Sequence, residues 1–143
     1  ADHVLFYCEN IPQVLAECRR VLKNGGRFLC STYGKQHMRE ITDLVQKFHK
    51  EIVLSAEVLY ERFGLENGEN LLAPYFPEIQ MRRYEDAIEI AEAEPLISYI
   101  LSCHGNQNQL LLNQYKEFRE FVSARVADGF HITKDAGIFL CRK

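Results

Sequence analysis

The apolar residues of the first third of this chain change their spacing from helical to unbroken. Ile11, Val14, Leu15, Cys18, Val21 and Leu22 recur at helical spacing, while Glu17, Arg19, Arg20 and Lys23 face away from that stripe. This predicts an amphipathic helix from Ile11 to Lys23. Asn10 is placed to cap its start, Pro12 suits its first turn, and Gly25 can take the left-handed conformation beyond its last turn. Phe28, Leu29 and Cys30 then run without alternation, as in a strand covered on both faces, so Arg27 to Thr32 is expected as a buried strand. Ahead of the helix, Ala1 to Phe6 reads as the end of another strand. Strand, helix, glycine turn and strand in that order make a parallel-sheet unit.

Helical spacing returns at Met38, Ile41, Leu44, Val45 and Phe48, and the pattern is less regular from Lys50 to Pro77. There, Ser55 can start a short helix through Val58 and Leu59, and Asn67-Gly68 another through Leu71 and Leu72. Ile79, Met81 and Tyr84 alternate with Gln80, Arg82 and Arg83 as in a strand, which Ile88 and Ile90 either continue or follow as a second piece. Pro95 suits the start of a helix with Leu96, Ile97, Ile100 and Leu101 as its apolar face. One longer helix from about Asn108 carries Leu111, Tyr115, Phe118, Val122 and Val126, with Gly129 placed to stop it. Phe130 to Thr133 and Ile138 to Cys141 are extended pieces around Asp135-Ala136-Gly137.

At 143 residues and 47% hydrophobic content, the chain has the length of one domain and enough apolar side chains for a packed core. Its formal charge of −3 comes from interleaved acids and bases, which argues against nucleic acid as a partner. Its 5 cysteines are odd in number and never form C-x-x-C, so free thiols, mostly buried, in a soluble cytoplasmic protein are expected. No apolar run approaches the about 20 residues of a membrane span, so no membrane partner is expected. His3, Cys8, Cys30 and His37 lack close ligand spacing, and no metal is expected. The chain opens at Ala1 in mid-pattern, as if a preceding segment had been removed.

The run Leu15, Glu17, Arg20, Val21, Leu22, Lys23, Gly25, Gly26 and Phe28 resembles the stretch from the fourth to the fifth strand of class I S-adenosylmethionine-dependent methyltransferases. The likeness continues through Phe63, Leu65 to Gly68, Leu72, Tyr75-Phe76, Tyr84 to Ile90, Tyr99-Ile100, Lys134-Asp135, Gly137 and Phe139, pieces similar to a subset of the type 11 methyltransferase group. The resemblance implies an α/β fold: a partial Rossmann-like sheet of fifth, sixth and antiparallel seventh strands with flanking helices, lacking the N-terminal cofactor-binding half. Residues 1–143 would then be the C-terminal portion of a methyltransferase domain, with a substrate-side helical insertion around 35–77. In that fold the last strand lies between the fifth and sixth, so Ile138 to Cys141 should pair between Phe28 to Thr32 and Ile79 to Tyr84.

Ligands of doubly wound sheets lie beyond the C-terminal ends of the strands, which here selects Ala1 to Tyr7 and Ser31 to His37. The resemblance makes Ala1, Asp2 and His3 the cofactor-side residues for S-adenosylmethionine. His3 is either a base near the acceptor or a histidine that only fixes its loop, and Asp2 is either a cofactor-facing acid or a solvated loop end. Phe6, Tyr33 and His37 are the candidates to line a small-molecule acceptor site, with core packing the competing role for the first two. The glycine-rich loop that cradles this cofactor is not found: Gly25-Gly26 precedes a strand, the wrong context for it. The parent protein is therefore expected to transfer a methyl group to a small molecule, with this chain alone inactive. The rival expectation is a stand-alone α/β binding or interaction module. Loss of the first half would leave the 27–32 strand without its neighbour, so a homodimer through that exposed edge or an exchanged N-terminal segment is expected.

Overall fold

A computed structural model describes residues 1–55 and 57–143 of a mixed α/β chain. The first helix, α1 (Ile11–Val21), starts where Asn10 Oδ1 accepts the Gln13 N–H at 3.0 Å, and buries Ile11 and Leu15. It stops two residues short of the expected end, because Leu22 is extended and Lys23 enters a turn closed by Gly26 N–H to the Lys23 carbonyl at 2.8 Å. The strands are β1 (Arg27–Tyr33), β2 (Glu78–Ile90) and β3 (Phe130–Arg142). Their order is β1-β3-β2, and β3 is antiparallel to β1 with Phe28 opposite Cys141 and Ser31 opposite Ile138. The last strand thus takes the inserted position expected of it. The pieces read separately at Phe130 and Ile138 are one strand, and Ile88 and Ile90 continue the strand begun at Ile79.

Ala1 to Phe6 departs from the strand expected there. Asp2 forms a single parallel bridge to Ser31, and a 3-10 turn then covers Leu5–Tyr7. Leu5 and Phe6 are both buried in one core, whereas extended neighbours would point to opposite faces. The tight turn resolves that conflict, and His3 at φ 46° redirects the chain into it.

The chain divides into two compact units. Unit 1 comprises Ala1–His37, Val58–Glu85 and Asp135–Lys143. Its core holds Leu5, Phe6, Leu15, Phe63, Leu72 and Phe139. It includes the short helices α3 (Leu59–Arg62) and α4 (Gly68–Leu72); the first begins well after Ser55. Cys30 and Cys141 lie buried on adjacent strands, and a hydrogen bond between them pushes the Cys30 thiol up and the Cys141 thiol down. All five cysteines are free, but Cys8, Cys18 and Cys103 are only half-buried, fewer inside than expected because α1 and the loops leave them at core margins.

Unit 2 comprises Met38–Glu57 and Asp86–Lys134, with a core of Ile41, Val45, Ile97, Ile100, Phe118 and Val122 among others. Its helices are α2 (Arg39–Phe48), α5 (Ala93–Ser102), α6 (Gln107–Leu111) and α7 (Tyr115–Val126). The single helix expected from Asn108 is in fact two. Gln114 N–H bonds the Leu111 carbonyl at 3.0 Å, a tightened turn, and the Gln114 carbonyl then accepts the Phe118 N–H at 2.9 Å to restart the ladder.

In the first turn of α2, Glu40 accepts from the Thr133 N–H at 3.0 Å and from its hydroxyl at 2.5 Å. Burial pushes the Glu40 carboxyl up, but the Thr133 bonds outweigh it and hold the group below its ordinary value. Its contribution to stability is therefore present above the ordinary carboxylate range and lost as pH falls through the lowered folded value. Thr133→Val should cost about 1 kcal/mol at pH 7. Urea unfolding of parent and variant at pH 7 and in acid should show the gap closing in acid, and an equal gap at both would refute the assignment.

Candidate functional site

Tyr33 closes β1, and its ring is the centre of an aromatic cluster. The His3 ring stacks on it at 6.1 Å between centroids with an 18° interplanar angle, and the His37 ring stacks at 5.1 Å and 25°. Phe6 packs against Tyr33 at 5.2 Å and against Tyr7 edge-on at 4.7 Å. Phe6 is buried, Tyr33 and His37 are half-buried, and His3 is exposed, so the cluster runs from an apolar floor to a wet rim carrying an imidazole. His3 is fixed at its backbone, where its N–H donates to Ser31 Oγ at 3.0 Å while the Ser31 hydroxyl bonds the Asp2 carboxylate. A non-glycine residue at positive φ is uncommon, and such strain clusters at functional sites.

The end of β1 and the loop after it are tied down on all sides. Thr32 Oγ1 donates to the Phe63 carbonyl at 2.7 Å, and the Leu65 N–H reaches the Tyr33 carbonyl at 3.3 Å. Asp135, on β3, accepts the Gln36 N–H on Oδ2 at 3.1 Å and Arg83 Nε on Oδ1 at 2.9 Å, while its carbonyl accepts the Gly34 N–H at 2.9 Å. Arg83 also reaches Glu66 at 2.9 Å, and Glu66 accepts the Lys35 N–H at 3.2 Å. Gly34 is required by this closeness, since a Cβ there would lie 2.3 Å from Asp135 Oδ2. Glu66, Arg83 and Asp135 thus form a clamp on the segment between Tyr33 and His37.

Residues 1–30 match the family model described as a methyltransferase domain. The opening of this chain is similar to part of a methyltransferase domain. The match covers His3, Phe6, α1 and the first part of β1, and so reaches the aromatic cluster from one side. No curated protein matches the chain. Among the described residues, no group of three or more His, Cys, Asp or Glu is arranged to hold a metal ion, and no helix is long and apolar enough to cross a membrane.

The structure brings His3, Phe6, Tyr33 and His37 together, with the first two carried by a bridge and a 3-10 turn where a strand end was expected. Ala1 and Asp2 lie beside β1, where the Ser31 N–H donates to the Ala1 carbonyl at 3.0 Å and Asp2 is held by the Ser31 hydroxyl. The clamp residues were not singled out from sequence. Glu66 and Asp135 do lie in the segments that carry the methyltransferase resemblance, the one signal that could have found them.

Proposed function

We propose that this chain is the acceptor-side portion of an S-adenosylmethionine-dependent methyltransferase acting on a small molecule, and that by itself it is inactive. The observation that carries the reading is the convergence of His3, Phe6, Tyr33 and His37 into one cluster at the C-terminal end of β1. That is where ligands of Rossmann-like sheets lie. The order β1-β3-β2 with an antiparallel β1–β3 pair supports the same reading.

Transfer of a methyl group from a sulfonium is an in-line displacement, in which the protein supplies proximity, orientation and exclusion of water. Ring faces suit a cation, and the apolar floor of Phe6 and Tyr33 suits an organic acceptor. His3 is in our reading the base that takes the acceptor's proton, and His37 orients the acceptor from the neighbouring loop. When bound, the cofactor supplies the activated methyl group. The residues here fit its reacting end only: none of the 8 glycines lies in a glycine-rich strand-to-helix turn able to cradle the rest of it. We also assign the protein to the cytoplasm, a reading its free cysteines support.

Calorimetric titration of this chain and of the full-length product of its gene with S-adenosylmethionine and S-adenosylhomocysteine tests the proposal. Binding by the longer protein alone is expected, and in it His3→Ala should lower kcat by about 10²-fold or more while leaving cofactor affinity near the parent's. Binding by neither protein would overturn the reading in favour of an interaction module.

A further inference from the structure

At the end of unit 1 remote from the aromatic cluster, the sheet carries a recess of about 280 Å3 lined by Arg27, Glu78, Gln80, Arg82, Leu140 and Arg142. Arg27 opens β1 and lies directly opposite Arg142 on β3. Glu78, Gln80 and Arg82 fall on alternate positions of β2, hence on one face. Arg27 is six residues from Tyr33 along β1, roughly 20 Å at strand rise, so this recess is separate from the cluster around Tyr33.

Its arginines differ from the rest. Arg20, Arg39, Arg83 and Arg119 are paired with carboxylates. Arg19 and Arg62 donate to backbone carbonyls, and Arg125 lies over the Phe121 ring. Among the described residues, Arg27 and Arg82 are the two arginines with no such partner, and both line this recess. The third, Arg142, has only Glu78 at 3.8 Å, with both side chains more than half exposed, a pairing worth little. Three guanidiniums therefore face one carboxylate, and two of them sit directly across an antiparallel pair, where like charges repel.

We propose that this recess binds a small multivalent oxyanion, the chemistry shared by pyrophosphate and polycarboxylates. Guanidinium forks match oxyanions with paired N–H donors, and an anion between Arg27 and Arg142 would turn their repulsion into shared attraction. The volume lies at the lower end of small-molecule sites, so an anion of a few heavy atoms fits better than a nucleotide. The site is open to solvent, and binding weakens as salt rises.

The test is a titration of the chain with pyrophosphate and, separately, citrate at fixed ionic strength, followed by amide chemical shifts. Saturable shifts confined to Arg27, Gln80, Arg82 and Arg142 are expected. Arg27→Gln/Arg82→Gln should weaken binding by about tenfold or more, and Glu78→Gln should tighten it by removing the competing carboxylate. All three positions are exposed, and unchanged shifts elsewhere establish that the variants are folded. Saturable binding of either anion with these variant effects upholds the proposal and names its class. Binding of neither, or equal affinity in parent and double variant, overturns it.

Discussion

Gly105→Ala should cost unit 2 about 4 kcal/mol or more, the largest loss expected of any conservative substitution considered. A Cβ at this position would stand 1.6 Å from the Val53 carbonyl oxygen and 2.8 Å from the Leu54 carbonyl carbon. These are backbone atoms, so no side-chain rotation relieves the clash. They are also locked in place: Asn106 donates its N–H to the Val53 carbonyl at 3.0 Å, accepts the Val53 N–H on Oδ1 at 2.8 Å, and donates from Nδ2 to the Glu51 carbonyl at 2.8 Å. Gly129→Ala is the useful contrast. Its φ is 93° but a Cβ there meets open space, so backbone strain alone should cost about 1 kcal/mol. Guanidinium unfolding of both variants measures the difference, and a Gly105→Ala protein as stable as Gly129→Ala would show that the two segments do not approach this closely.

Asp135→Ala should cost about 2 kcal/mol and release the loop between Tyr33 and His37. The carboxylate is 6% exposed, so its loss strips the Gln36 N–H of its acceptor and leaves Arg83 with Glu66 alone. Arg83 is exposed and retains that second partner, which keeps the cost below that of an isolated buried charge. Asp135→Asn should be milder, since an amide oxygen can still accept from Gln36. Denaturant unfolding together with hydrogen exchange at the Gln36 amide separates the two variants. Equal exchange in parent and Asp135→Ala would mean that the clamp does not hold the loop.

The part of the fold governed by short-range pattern was legible, and the part governed by competition for one core was not. The stripe from Ile11 to Leu22, Asn10 as its cap and the unbroken run at Phe28 each specify their element locally, but β1 is not covered on both faces as that run suggested, since Leu29 is 44% exposed while Cys30 and Thr32 are buried. The position of β3 between β1 and β2 came instead from the methyltransferase resemblance, since no periodicity tells a strand which neighbours it takes. Leu5 and Phe6 looked extended because adjacent apolar residues fit a strand covered on both faces as well as a tight turn. The interruption between α6 and α7 was invisible for a related reason: Leu111, Tyr115 and Phe118 keep helical spacing across it, with no proline or glycine to mark the break. At the candidate site, the residue types with obvious chemistry were found. The clamp was not, because Glu66, Arg83 and Asp135 are far apart in sequence and act through backbone N–H groups of the loop as well as through one another.

The central position of β3 also constrains how the protein is made. A ribosome delivers β1 first, β2 some fifty residues later and β3 last of the three, so the strand that joins the other two emerges after both. Until then the nascent chain carries two strand edges awaiting one partner, the condition under which chains pair wrongly with each other. Slowing translation just before the codon for Phe130 should raise the aggregated fraction without changing the unfolding midpoint of what remains soluble.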